Sequence, residues 1–244
     1  MTWPFENDTS AITKKLAKKS LQSEKRRNLM VVIAVALASC LICFSIVMAL
    51  STRQIEKNHV EDTYEAVYTR ITEEDVSTLK GLDDFSRVGE YYMLAVEPAK
   101  QGYNASYIYC DEETMYIARD QMKLLEGRLP QKEDEVAVSR YFLSNYGADA
   151  GIGEKVMLNS ESFHGEYTVT GILEGYKEKE VNGSSILLSK EALKGWSGYD
   201  PADYRAYVHF KNEQQMDETE LTARSREIAK EYQLEMPIMN LSYM

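Results

Sequence analysis

Residues 29–51 form an uncharged run of 23 residues, with Lys25, Arg26 and Arg27 before it and Arg53 after it. As an α-helix the run is ~34 Å long at ~1.5 Å per residue, enough to cross the ~30 Å hydrocarbon core of a bilayer. A cleaved secretory signal has an apolar core of only ~7 to 15 residues, so this run is too long for one. Leu37-Ala38-Ser39-Cys40 has the form of a lipoprotein box, but the residues after Cys40 are Leu, Ile, Cys, Phe, Ser, Ile, Val and Met. Processing at Cys40 would leave a tail that still favours lipid; an unchanged mass and retained membrane binding in Cys40→Ser would exclude it. The whole run is accounted for by a permanent transmembrane helix over residues 29–51.

Charge divides at this run. Residues 1–28 carry a net +4 and the residues after Ser51 a net −15, within a chain of 244 residues whose total is −11. Lysines and arginines beside a membrane helix mark its cytoplasmic side, so the expected topology is a cell-membrane protein with a cytoplasmic N-terminus and an extracellular C-terminal domain. The basic segment 1–28 has the pattern of a short amphipathic helix capped by Asp8 or Ser10. Ile12 and Leu16, extended by Leu21, form its narrow stripe, Lys14, Lys15, Lys18 and Lys19 its flanks, and Trp3 and Phe5 are interfacial anchors on an anionic leaflet. A solvated basic flank that only fixes topology is the competing reading. Nucleic acid is not an expected partner, because no aromatic residue is interleaved with the lysines.

Cysteine use gives little chemistry. Cys40 and Cys43 lie inside the apolar run and Cys110 far downstream, so the outer segment has no disulfide framework and depends on a buried core. The C-x-x-C spacing resembles a redox pair, but without the strand and helix that support such a pair, packing in lipid explains it.

Beyond Arg53 the periodicity alternates between strand and helix. Residues 60–69 predict a strand, 72–80 a helix capped by Thr72 and stopped at Gly81, and 85–96 a strand broken near Gly89. Near the other end, 204–210 predicts a strand, 213–232 a helix and 234–239 a last strand interrupted by Pro237. Two such halves combine into an α+β fold, a ferredoxin-like (porter-like) layer over 54–97 plus 201–244. Residues 98–200 read as an inserted small β-rich subdomain, with strands at 106–110, 135–138, 155–158, 167–173 and 185–188, and short helices after Ser139 and Ser189.

The segment KLLEGRLPQKEDEVAVSRYFLSNYGADAGIGEKVML at 123–158, followed by YTVTGIL at 167–173, resembles the extracytoplasmic core domain of MacB-like and FtsX-like ABC transporter permeases. The matching positions are Gly127, Arg128, Pro130, Glu135, Ser139, Gly153, Lys155, Val169, Gly171 and Ile172, and KKLAKKSLQSEKRRN resembles the family's N-terminal cytoplasmic segment. The motif residues have structural rather than catalytic roles: Gly127 and Pro130 set a tight turn, Gly153 frees the backbone, and Arg128 and Glu135 are placed to pair across the turn. The resemblance implies a separate ABC ATPase subunit that binds the ATP, a second permease half or homodimer, and a role in export or in control of an outside partner. Family permeases have four or more membrane helices, whereas this sequence has one, which predicts a fragment of a longer permease or a truncated product. The competing reading is a single-pass anchored extracellular binding or sensing protein.

No G-x-x-x-x-G-K-[ST] loop occurs, Gly151-Ile152-Gly153-Glu154 reads as a turn rather than a dinucleotide loop, and His59, His164 and His209 lack metal-ligand spacing. The expectation is no catalytic residue, no bound cofactor and no metal. The acid runs Glu112-Glu113 and Glu133-Asp134-Glu135 read as solvated turns. All 17 tyrosines follow the apolar run, which fits either a glycan- or peptide-binding surface or strand packing.

Overall fold

The computed structural model describes residues 9–60, 63–98, 103–146, 150–175, 178, 183–211 and 216–240. Trp3, Phe5 and Asp8 lie outside them. Two compact units are present, one over Met1–Asn58 and one over His59–Met244.

The first unit is helical. α1 (Ser10–Ser23) leaves Ile12 and Leu16 exposed among its lysines, and α2 (Lys25–Val60) is continuous through the apolar run. No glycine or proline interrupts residues 25–60, so the helix reaches Val60, and the strand expected from residue 60 begins at Ala66. Its stretch over Lys25–Ser51 is long and apolar enough to cross a membrane. Ser39 and Ser45 hydroxyls donate to the carbonyls of Val35 and Leu41 at 2.9 and 2.8 Å, which satisfies both inside the helix.

The second unit is built on one mixed sheet, ten-stranded among the described residues. Its strands are β1 (Ala66–Ile71), β2 (Phe85–Pro98), β3 (Asn104–Cys110), β4 (Met122–Gly127), β5 (Glu135–Ser139), β6 (Lys155–Asn159), β7 (His164–Gly175), β8 (Gly183–Leu188), β9 (Tyr204–Phe210) and β10 (Ile238–Met239). The helices are α3 (Glu73–Lys80), α4 (Glu112–Ile117), α5 (Arg140–Tyr146), α6 (Lys190–Gly195) and α7 (Glu218–Glu231). The order β10-β1-β9-β2 is antiparallel throughout, with α3 between β1 and β2 and α7 between β9 and β10. This is the ferredoxin-like split βαβ arrangement. From β2 the same sheet continues through β3, β8, β5, β7 and β4, with β6 beside β7.

Alternation in the strands determines the two faces. Ala206 and Val208 of β9, Tyr107 of β3 and Val136 and Val138 of β5 point to the face covered by α3, α5, α6 and α7, where Val76, Phe142, Leu193 and Ile228 complete the main core. Tyr207, Ile108, Cys110, Ala137 and Leu187 point the other way. Caps fix the helix starts as their sequences indicate: Thr72 and Asp75 make a reciprocal capping box, as do Asp217 and Glu220, and Ser139 and Ser189 accept from the N–H groups of Phe142 and Ala192.

Three local expectations change. β2 is not broken at Gly89, which pairs with Tyr207; a Cβ there would lie 2.3 Å from the Thr114 Oγ1 and 2.5 Å from its backbone nitrogen, so glycine lets α4 lie against the strand. Glu112 and Glu113 are the acidic first turn of α4, which favours a helix N-terminus. Glu135 is buried rather than solvated.

Candidate functional site

The motif residues Gly127, Arg128, Pro130, Glu135 and Gly171 come together at the turn between β4 and β5, beside β7. Arg128 donates from Nη1 and Nη2 to the two carboxylate oxygens of Glu135, each at 2.7 Å, and the Gln131 and Lys132 N–H groups donate to Oε2 at 2.9 and 3.3 Å. The Arg128 hydrogen bonds, reinforced by those two backbone donors, depress the Glu135 pKa to about 2. Gly127 has φ +82°, and a Cβ there would fall 2.2 Å from the Thr170 carbonyl. Likewise a Cβ on Gly171 would lie 2.6 Å from the Arg128 carbonyl. Pro130 is buried. Gly153, with φ +87°, sits across β7 at the start of β6 and donates to Val169 at 2.8 Å. These groups brace a corner and expose no reactive atom.

The opposite face of the sheet carries the concavity. A cavity of about 690 Å³ has Tyr91, Ile108 and Tyr207 in its floor, Thr114, Met115 and Gln121 in its roof, and Tyr64 and Asn240 at one end. The roof is held by Asp111, whose Oδ1 accepts from the N–H groups of Glu90 and Thr114, each at 2.9 Å, and by the Thr114 hydroxyl donating to the Glu90 carbonyl at 2.9 Å. Tyr64 and Tyr207 meet edge to face with centroids 4.7 Å apart, and Tyr91 lies 5.5 Å from Tyr207. Gln121 Nε2 donates to the Tyr64 hydroxyl. Burial, then the neighbouring Tyr207 and Asp120, pushes the Tyr64 phenol well above its ordinary value, and burial does the same to Tyr91, Tyr207 and the Cys110 thiol. At neutral pH the site therefore holds neutral hydroxyls and an unreactive thiol, which suits binding rather than nucleophilic catalysis.

The end of the cavity is also where the chain from α2 joins the sheet. Glu65 N–H donates to Val208, Asn240 N–H to the Glu65 carbonyl, and Tyr64 N–H to the carbonyl of Ile117, the last residue of α4. The buried Glu65 carboxylate is held by His209 Nδ1 at 2.7 Å and by the Phe210 N–H at 2.8 Å. Among the described residues no group of three or more His, Cys, Asp or Glu side chains is placed to hold a metal ion.

Residues 29–226 match the family of the MacB-like periplasmic core domain. The chain belongs to this family. Its members are components of ABC transporter permeases rather than classical enzymes, and the resemblance read from residues 123–173 lies inside the matched range. Among solved structures, the chain is similar to the extracellular domain of the noncanonic ABC-type transporter YknZ from Gram-positive bacteria, at 16% identity and a TM-score of 0.50, with 73% of this chain covering 100% of that one. It is also similar to the periplasmic region of MacB from Actinobacillus actinomycetemcomitans, at 12% identity and a TM-score of 0.47, covering 74% of this chain and 89% of that one. The YknZ likeness shows the MacB-like fold. No curated protein matches.

The sequence motif of this family marked the braced corner, not the cavity. Tyr64, Tyr91, Tyr207, Asp120 and Gln121 were not singled out, because strand tyrosines on the two faces look alike in sequence. The available signal was alternation: Tyr207 lies one residue from Ala206 and Val208, which face the main core, and so faces away from it.

Proposed function

We propose that this chain is part of a MacB-like ABC transporter permease, with residues 1–28 in the cytoplasm, residues 29–51 crossing the membrane and the sheet domain outside the cell. ATP is bound and hydrolysed by a separate ATPase subunit, and a second permease half or second copy completes the membrane unit. The outer domain takes part in the resulting export or mechanical signalling. Within it, residues 54–97 with 201–244 act as the porter-like part and 98–200 as the inserted part.

The observation that carries this reading is how the chain from α2 joins the sheet. Tyr64 and Glu65 are hydrogen-bonded to Ile117 of α4, to Val208 of β9 and to Asn240, so a pull along the chain reaches backbone ladders and a packed helix. β1 lies between β9 and β10, and β9 pairs with β2, which distributes that displacement across the sheet. A charge cluster ties the inserted part to the porter-like part: Lys190 of α6 meets Glu90 of β2 at 2.6 Å and Glu73 of α3 at 2.7 Å.

The test uses the full chain purified with its ATPase subunit and spin-labelled through Lys132→Cys, after Cys40 and Cys43 are replaced by serine. ATP with vanadate should shift the label's spectrum or the distance between labels. An unchanged signal once vanadate has trapped the ATPase would contradict the reading.

A further inference from the structure

α4 and the turn that follows it, residues 118–121, roof the cavity of about 690 Å³, and the two ends of this roof are fastened differently. The N-terminal end is tied to the neighbouring strand β2. There the Asp111 N–H donates to the Glu90 carbonyl at 3.0 Å, the Thr114 hydroxyl donates to the same carbonyl at 2.9 Å, and the Lys80 ammonium reaches Asp111 Oδ2 at 2.9 Å. The C-terminal end is held from Tyr64, whose N–H donates to the Ile117 carbonyl at 3.1 Å and whose hydroxyl accepts from Gln121 Nε2. Tyr64 is not part of a strand; it lies in the segment between Val60, where α2 ends, and Ala66, where β1 begins.

Apolar packing follows the same division. Ile117 and Ala118 are buried in a small cluster with Tyr64, Val67 and Tyr207, separate from the main core under α3, α5, α6 and α7. Lifting the C-terminal end would break the two bonds to Tyr64 and uncover Ile117 and Ala118, while the main core and the strand pairing stay in place. A loss confined to one small cluster is what permits a local opening far cheaper than global unfolding. We infer that residues 112–121 form a lid hinged at Glu90 and kept shut by Tyr64, so that release of Tyr64 opens the cavity to solvent. The lid belongs to the sheet domain alone, and the inference does not depend on coupling to an ATPase.

Cys110 lines the cavity at 3% exposure and therefore reports its opening. The experiment follows alkylation of Cys110 by iodoacetamide, read by mass spectrometry, on the full chain in dodecyl maltoside micelles with Cys40 and Cys43 replaced by serine. Urea is varied below the unfolding transition. Labelling should be slow and nearly independent of urea, because a local opening exposes little new surface, whereas labelling through global unfolding rises along the full urea slope. Tyr64→Phe keeps the ring and drops the hydroxyl, and Gln121→Ala drops the same bond from the exposed side. Each should speed labelling without urea about fivefold. Arg128→Ala, at the braced corner, should leave that rate unchanged. Labelling that follows the global urea slope, an unchanged rate in either folded lid variant, or an Arg128→Ala rate raised as much as theirs would overturn the inference. If Tyr64→Phe does not fold, Gln121→Ala decides.

Discussion

Asn240 donates its side-chain amide to the backbone carbonyl of Tyr64 at 2.8 Å, and its backbone N–H to the Glu65 carbonyl at 2.8 Å. One buried residue near β10 thus fastens the segment through which α2 meets the sheet.

Asn240→Ala removes the side-chain donor and leaves the Tyr64 carbonyl without it. The expected cost is about 1–2 kcal/mol of domain stability, read as a lower urea midpoint by near-ultraviolet circular dichroism of the tyrosines. An unchanged midpoint would show that the amide is not a fastening.

Gly89→Ala is expected to be severe for its size. The new methyl would lie 2.5 Å from the Thr114 backbone nitrogen and 2.6 Å from its Cα, so trimming the Thr114 side chain gives no relief. The expected loss is about 1–3 kcal/mol, with α4 displaced and Met115 more accessible to oxidation. Thr114→Ala in the same chain should not restore stability; full restoration would mean that the clash is with the hydroxyl alone.

Arg128 and Glu135 should behave as a unit. Removing either partner is expected to destabilise the domain more than removing both, because a lone Arg128→Ala leaves the buried Glu135 carboxylate with only backbone donors. The folded pKa of Glu135, about 2, lies below its ordinary value of 4.5. Its contribution is therefore fully present above that ordinary value and is lost as pH falls through the interval toward 2. Acid unfolding followed from pH 6 to 2 should show this loss, and Arg128→Ala should flatten it. Equal pH profiles, or equal losses in single and double variants, would contradict the pairing.

Lys190→Met removes the closest cation from Glu90, whose side chain is 8% exposed, and leaves Lys80 at 3.9 Å. The expected cost is about 1–3 kcal/mol, below a fully buried pair because Lys190 is partly exposed. Burial opposes the Lys190 charge, but the Glu73 and Glu90 hydrogen bonds together hold its pKa above the ordinary lysine value. Pairing Lys190→Met with Glu90→Gln should recover part of the loss, and no recovery in thermal unfolding would mean that Glu90 does not depend on Lys190.

Elements with strong local signals were legible in the sequence. Thr72 with Asp75 and Ser189 before Lys190 are local hydrogen-bonding patterns, and they produced α3 and α6 where expected. The antiparallel β1–β9–β2 core followed from two strand-helix-strand halves. What was not legible depends on partners distant in sequence. α4 is only six residues long, and its place is set by Gly89 and Glu90, more than twenty residues earlier. Glu135 sits in an acidic run that looks solvated until Arg128 is folded across from it. The cavity is less legible still, because it depends on Tyr64, Tyr91 and Tyr207 meeting from three separate segments.

Residues 29–51 are proposed to cross the membrane with the basic head inside and the sheet domain outside. The most direct test is labelling of intact cells with a membrane-impermeant maleimide, using Ser20→Cys and Lys132→Cys chains in which Cys40 and Cys43 are serine. Cys110 can stay, since it is buried and its thiol pKa is raised by that burial. Labelling is expected at position 132 in intact cells and at position 20 only after the cells are broken open; labelling at 20, or protection of 132, in intact cells would contradict this topology.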